Sequence, residues 1–249
     1  MLAYQFFKYS IFLPLVRFGF RARVEGLDRV PHGGGAILAS NHRATMDSIV
    51  LPAMMPRVVT FPAKAELFHG KSVGGKIVAW FLRTIKMVPM ERGGGRASAE
   101  SLRAISDVLA QGNLVAIYPE GTRSPDGRLY RGHTGVARMA LLNDVPILPV
   151  GLVGTETVRG PLGIPWVRRP QVIVGEPLYF PELAHRTDIK AHRHVTNHVM
   201  AAIQELTGQP YVDVYGVRVK HGDLRGKDLS RHELRTPPVE PLDTPDGAE

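Results

Sequence analysis

The chain has 249 residues, 44% of them hydrophobic, enough for the core of one large α/β domain or two small ones without staples. It contains no cysteine, which excludes disulfides, thiolate metal sites and a cysteine nucleophile, and fits a reducing compartment. Lysine and arginine number 31 against 23 acidic residues, a formal net charge of +8, so the partner to expect is anionic: phosphate, nucleic acid or a lipid headgroup surface.

The first 23 residues, MLAYQFFKYSIFLPLVRFGFRAR, hold no acid, four basic residues (Lys8, Arg17, Arg21, Arg23), and five Phe and two Tyr among aliphatics. The uncharged run from Tyr9 to Val16 is far short of the roughly 20 residues that a spanning helix needs. There is no small-residue cleavage site, so a secretory signal is not expected. On a helical wheel a narrow polar edge of Ser10, Arg17 and Arg21 interrupts an otherwise apolar surface. That pattern predicts residues 1–20 as a membrane-interface helix with its arginines at headgroup level, interrupted by a kink at Pro14; the competing reading packs it on the protein's own core.

Beyond it, short apolar runs alternate with helical periodicity. Strands are predicted at Arg21–Val24, Ala36–Ser40, Val58–Phe61, Ile85–Met90, Leu114–Tyr118, Ile147–Leu152 and Gln171–Val174. One helix starts near Thr45, a candidate cap, and a second covers about Ser98 to Ala110 before Gly112. A third covers Gly135 to Leu142, and a fourth Asp188 to Leu206 before Gly208 and Pro210. The alternation predicts an α/β fold, a mixed, largely parallel sheet flanked by helices. Residues 216–249, charged, proline-rich and poor in apolar side chains, read as a disordered or loosely docked tail.

Ligands of such sheets gather beyond the carboxyl ends of strands. Two predicted strands empty into chemically loaded loops. Ala36–Ser40 leads to Asn41-His42-Arg43-Ala44-Thr45-Met46-Asp47. Here Asp47, in the first helical turn, can accept the imidazole Nδ1–H of His42, fix its tautomer and leave the opposite nitrogen as a base. By themselves a His and an Asp five apart are also a common surface pair. Leu114–Tyr118 leads to Pro119-Glu120-Gly121-Thr122-Arg123-Ser124-Pro125. In that loop glycine permits close backbone approach, Arg123 offers a fork for phosphate, and Glu120 can accept from a hydroxyl. The set suits transfer of a group onto a hydroxyl of a phosphorylated molecule.

Over roughly residues 20 to 180 the chain resembles the glycerolipid acyltransferases typified by 1-acylglycerol-3-phosphate acyltransferase. NHRATMD resembles the family's NH-four-residues-D block, and YPEGTRS its FPEGTRS block with Tyr118 for Phe. Lys64 in AKAELF and Arg92 at the end of IKMVPMER stand where the family carries basic residues near the acceptor phosphate, although HGKSVGG replaces the usual proline and Phe-Gly between them. Val145–Val150 resembles the apolar fourth block, a structural strand that lines the acyl site. The resemblance implies an acyltransferase domain over 21–215, with His42 as general base and Asp47 orienting it. Acceptor binding falls to Lys64, Arg92, Glu120, Gly121, Thr122 and Arg123, and backbone N–H groups around Gly121 receive the oxyanion. It implies an acyl-CoA or acyl carrier protein donor and a lysophospholipid acceptor such as lysophosphatidic acid, with glycerol-3-phosphate as an alternative. No metal, cofactor or nucleic acid is implied, and the expected site of action is the cytoplasmic face of the cell membrane, peripheral or monotopic. A non-catalytic lipid-binding protein on the same fold is the reading from another class.

Other motifs carry less. Gly70-Lys71-Ser72-Val73-Gly74 spells G-x-S-x-G, the basis for a serine esterase reading with Ser72 as nucleophile, but no strand is predicted to feed it. Gly70-Lys71-Ser72 also ends like a P-loop, yet position 65 is Ala where its first glycine belongs. His194 and His198, a turn apart without an acidic partner, are expected with His192 on a solvated face. Gly93–Gly95 and Ser98 read as a loop and helix start with weak phosphate-binding character, and His133 as an ordinary helix-start histidine, with reach into the site from the loop after YPEGTRS as its alternative.

Overall fold

The computed structural model describes residues 2–70, 72–84, 87–90, 96–160, 165–239 and 242. In chain order the elements begin with α1 (Leu2–Phe7), which runs into π-helical turns at Lys8–Phe12 and Leu15–Gly19. There follow β1 (Arg23–Glu25), β2 (Ala36–Ser40), α2 (Asp47–Met54), β3 (Val59–Thr60), β4 (Pro62–Lys64), α3 (Val73–Thr84), β5 (Val88–Met90), α4 (Arg96–Ala110) and β6 (Leu114–Ile117). The second half comprises β7 (Leu129–Tyr130), α5 (Gly135–Asn143), β8 (Ile147–Val153), β9 (Val158–Arg159), β10 (Pro165–Trp166), β11 (Gln171–Val174), α6 (Ile189–Thr207), β12 (Tyr211–Val212), α7 (Gly216–His221) and β13 (Glu233–Leu234).

Six strands form the main sheet in the order β1-β11-β8-β2-β6-β3. Every neighbouring pair is parallel except β8 with β11, the mixed, largely parallel α/β sheet that the alternation predicts. Both faces are covered. Along β2, Ala36 and Leu38 enter one core with Val50, Leu51 and Leu148, whereas Ile37 and Ala39 enter the other with Ile105, Val115, Val195 and Ile203. That is why the strand reads as a continuous apolar run rather than an alternating one. The longest helix, α6, is bounded as its caps dictate. The Asp188 carboxylate accepts from the Ala191 N–H, and Gly208 ends the helix in the left-handed region.

Several expectations change. The segment expected at Ile85–Met90 is a strand only at Val88–Met90, paired with β4 apart from the main sheet; Ile85 and Lys86 lie outside the described residues. The interruption expected at Pro14 takes the form of π-helical turns on either side of a residue that has no N–H to donate. The N-terminal segment also packs on the core: Tyr4, Lys8, Val16 and Phe20 are buried, while Phe6, Tyr9, Ile11 and Phe18 face outward.

The segment after Tyr215, read from its composition as loose, carries α7 and β13. The latter pairs with β12, whose other edge holds β7. Its few apolar residues suffice because they converge, Leu229 packing with Tyr130, Val212 and Val214 in a small buried cluster.

Candidate active site

β2 and β6 are adjacent parallel strands, so the loops that leave their carboxyl ends meet. In the first, His42 Nδ1 lies 2.8 Å from Asp47 Oδ2. The same Oδ2 accepts the N–H groups of Arg43 and Ala44 at 2.7 and 2.8 Å. Three donors converging on one oxygen fix the carboxylate, and the loop curls back as the five-residue spacing allows. Asp47 is fully buried and the His42 side chain 16% exposed. Among the described residues no protein group hydrogen-bonds His42 Nε2, so the imidazole has one committed nitrogen and one available. Thr45 is not the cap of α2: the helix starts at Asp47 with no side-chain cap, and Thr45 Oγ1 instead accepts from Arg123 Nη1 at 2.6 Å.

The second loop holds the first by its backbone. Glu120 is buried; its Oε1 accepts the His42 N–H at 2.9 Å and its Oε2 the Tyr130 N–H at 3.1 Å. Burial pushes its carboxyl up from the ordinary carboxylate value to about 8, with these two bonds pulling the other way. Glu120 therefore faces inward as a brace for His42, not outward to a substrate hydroxyl. On the other side the His42 carbonyl accepts the Ser124 N–H at 2.7 Å. Tyr118 adds a floor: its ring stacks on that of His42 with centroids 3.9 Å apart and planes 9° from parallel. Asn41 ties the strand end to β8. Its amide bonds Leu152 in both directions, at 2.9 and 2.8 Å, and also the Gln209 side chain.

Gly121 turns the loop at φ 68°. A Cβ there would lie 3.0 Å from the His133 ring, so a larger residue would strain the left-handed backbone and press on that ring. The Gly121 N–H donates to the Tyr118 carbonyl, so of the N–H groups around Gly121 expected to receive an oxyanion this one is taken. His133 is more than a helix-start residue, since it packs on this turn and stacks on Tyr215 with ring centroids 4.5 Å apart. Arg123 is exposed and reaches Thr45 as above. A cation absent from the motif reading joins it: Lys220 of α7 places Nζ 3.3 Å from the Arg123 carbonyl and 3.5 Å from Thr122 Oγ1. No local signal marks Lys220, because its position depends on how the C-terminal segment docks.

Beside this centre lies an apolar cavity of about 340 Å³, lined by Tyr4, Phe7, Phe12, Ile49, Ala53 and Leu82 among others, with Thr45 and Ser48 also on its wall. Ser48 connects it to the centre, its Oγ lying 3.3 Å from Tyr118 Oη. Val145–Val150, expected to line an acyl site, contributes nothing to this wall; Ile147, Leu148 and Val150 are buried in β8, in the middle of the sheet. Lys64 belongs to β4 by its backbone. Arg92 and Gly93–Gly95 lie outside the described residues.

The remaining motifs take structural roles. Ser72 Oγ accepts from the Gly75 N–H at 3.0 Å at the start of α3. A 3₁₀ turn at Ala65–Phe68, not a strand, stands between β4 and Ser72, so the elbow geometry is missing. His192 is buried, with Nε2 3.1 Å from the Arg186 carbonyl, which corrects the solvated face expected for it; His194 and His198 meet ring to ring at 4.5 Å. No cluster of three metal-ligating side chains occurs among the described residues.

A model of the acyltransferase family matches residues 21–153, more than half of the chain and both loops of the centre. The chain belongs to the acyltransferase family. It is 28% identical over 163 residues to a chloroplastic 1-acyl-sn-glycerol-3-phosphate acyltransferase of Arabidopsis thaliana, a match covering 64% of this chain and 44% of the relative. It is 28% identical over 186 residues to the 1-acyl-sn-glycerol-3-phosphate acyltransferase of Bacillus subtilis, covering 74% and 87%. The chain thus spans less than half the length of the plant relative and most of the bacterial one. Among solved structures, the 1-acyl-sn-glycerophosphate acyltransferase PlsC of Thermotoga maritima shares the fold with a TM-score of 0.58 at 22% identity, covering 80% of this chain and 78% of that one.

Proposed function

We propose that this acyltransferase-family protein moves a fatty acyl group from a thioester, acyl-CoA or acyl carrier protein, to the free hydroxyl of 1-acylglycerol-3-phosphate, giving phosphatidic acid. The observation that carries the reading is the His42–Asp47 pair, with Nδ1 committed to a buried carboxylate and Nε2 available. A thioester is already activated, so no covalent enzyme intermediate is needed. His42 Nε2 takes the proton of the acceptor hydroxyl, and the oxygen attacks the thioester carbonyl. The tetrahedral intermediate then collapses with loss of the thiolate, which receives the proton from the imidazolium that Asp47 stabilises.

In this reading Arg123 holds the acceptor phosphate, with Lys64 and Arg92 assigned to it by resemblance. With the Gly121 and Ser124 N–H groups committed, the N–H groups of Glu120, Thr122 and Arg123 are the loop's remaining donors for the oxyanion. The apolar cavity, of small-ligand size, receives an acyl chain.

Both substrates partition into a bilayer, and the reading places the protein at the cytoplasmic membrane face, peripheral or monotopic. No helix among the described residues is long and apolar enough to cross. Support comes from the outward aromatic face of residues 2–20, where Phe6, Tyr9 and Phe18 are 61, 54 and 75% exposed, with Trp80 of α3 at 58%. The names of the plant and bacterial relatives favour lysophosphatidic acid over other acceptors.

The test is purified protein assayed with acyl-CoA and acyl carrier protein donors against lysophosphatidic acid, glycerol-3-phosphate and other lysolipids, beside His42→Ala. Phosphatidic acid formation by the wild type and its loss in the variant, with lipid binding retained, is the expected result. Full activity without His42 overturns the mechanism.

A further inference from the structure

Most cations around the site have an acidic partner. Arg43 bonds Glu156, Arg128 bonds Asp126 and Glu233, and Arg218, two residues before Lys220, bonds Asp223. Lys220 and Arg123 differ. Among the described residues, the only hydrogen-bonding partners of the Arg123 guanidinium and the Lys220 ammonium are the Thr45 hydroxyl for the first, and the Thr122 hydroxyl and Arg123 carbonyl for the second. Burial, and after it the positive charge of Arg123, lowers the Lys220 pKa. Among the described residues the two cations share a corner with hydroxyl and carbonyl oxygens and neither is paired with an acid, so a bound anion would relieve their mutual repulsion.

The docking that brings Lys220 there is built into the fold. Gly216, at the start of α7, packs so closely on the phosphate-side loop that a Cβ would lie 3.3 Å from Thr122 Cγ2 and 3.4 Å from the Tyr130 ring. Just before it in the chain, β12 is held between β7 and β13. Arg123 in turn reaches the loop of the base through Thr45. One corner thus joins three segments remote in sequence: the loop after β2, the loop after β6, and α7.

Resting on the acyl-transfer reading, we infer that Lys220 is a phosphate-positioning residue, the second cation with Arg123 in a subsite that selects acceptors ending in a phosphate monoester. A monoester carries close to two negative charges near neutral pH, enough to neutralise both cations. A phosphodiester headgroup brings one charge and a substituent on the side where the second cation stands. Lys220 thereby makes the C-terminal segment part of acceptor recognition.

The experiment compares wild type, Lys220→Gln, Lys220→Arg and the control Lys227→Gln, full-length, with lysophosphatidic acid and the uncharged acceptor monoacylglycerol. A charge-assisted hydrogen bond of ordinary strength predicts that Lys220→Gln raises KM for lysophosphatidic acid about tenfold. The same variant should leave kcat and the activity on monoacylglycerol within about twofold, with Lys220→Arg restoring most of the loss and Lys227→Gln silent. An unchanged KM, a fall in kcat alone, or equal losses on both acceptors overturns the inference. Lysophosphatidic acid binding in detergent micelles keeps the questions apart. A wild type that makes no phosphatidic acid yet binds in a Lys220-dependent way overturns the acyltransferase reading and supports this one, whereas transfer with Lys220-independent binding does the reverse.

Discussion

The imidazole of His42 lies flat on the phenol ring of Tyr118, centroids 3.9 Å apart, so the side chain proposed as the base has a floor as well as a tether at Asp47. Among the described residues the hydroxyl of that floor makes only a 3.3 Å contact with Ser48. Tyr118→Phe keeps the ring and is expected to retain kcat within about twofold, consistent with the Phe that the family motif usually has there. Tyr118→Ala removes the floor and frees the imidazole to rotate, and a misplaced base costs on the order of 10²-fold in rate. Steady-state kinetics on the two variants check this; equal losses in both would point to the hydroxyl.

Glu120 gives stability a pH dependence whose sign follows from its environment. Its carboxyl titrates near 4.5 in the unfolded chain and at about 8 in the folded protein. Between those values the folded state holds the proton more tightly, so stability is greatest at the acid end of the window and falls as pH rises toward 8. Glu120→Gln is expected to abolish that component while costing about 1–3 kcal/mol throughout, because an amide NH₂ cannot accept the backbone N–H that the second carboxyl oxygen accepts. Urea unfolding at pH 5, 6, 7 and 8 on both proteins reads the difference in slope; parallel curves would sink the assignment.

The His42–Asp47 pair was legible because its geometry is local. His42 and Asp47 sit on one loop, their spacing crosses from loop to helix, and a strand buried on both faces announces where the loop begins. The sheet was legible for the same reason, its apolar runs standing between well-punctuated helices. Glu120 was visible as a polar residue at a strand end, but its inward turn depends on the N–H of Tyr130, supplied by β7. Lys220 was hidden further still. It sits in a charged segment whose docking rests on a handful of dispersed apolar residues, and no periodicity in 216–249 signals that Leu229 packs against Tyr130 and Val212. Thr45 misled because a hydroxyl before a helix usually caps it, whereas here the Arg123 guanidinium takes it.

Ala53 tests the apolar cavity. It is 3% exposed and lines the wall with Phe12, Ile49 and Leu82. Ala53→Phe puts an aromatic ring into a space of about 340 Å³ and shortens whatever chain it can hold. The expected outcome is a fall of more than about tenfold in kcat/KM for long-chain acyl donors, with short-chain donors affected far less, since the lost burial grows with each excluded methylene at about 0.8 kcal/mol. A series of donors of increasing length checks it. A uniform loss across the series would mean that the chain lies elsewhere.

The outward face of residues 2–20 tests the proposed membrane contact. Phe6 and Phe18 are 61% and 75% exposed, whereas Tyr4, Val16 and Phe20 of the same segment are buried, so the two faces can be altered separately. Phe6→Ser with Phe18→Ser removes two apolar side chains without opening the core, and each buried aromatic contributes roughly 1.5–3 kcal/mol to partitioning. Vesicle flotation is therefore expected to show at least a tenfold weaker association with anionic liposomes, at unchanged thermal stability. The basic residues act at longer range: raising the salt should weaken residual binding of the double variant further, because headgroup attraction is screened over about 8 Å at physiological ionic strength. Flotation of the double variant equal to the wild type would assign membrane contact to another surface, with the exposed Trp80 of α3 the next to change.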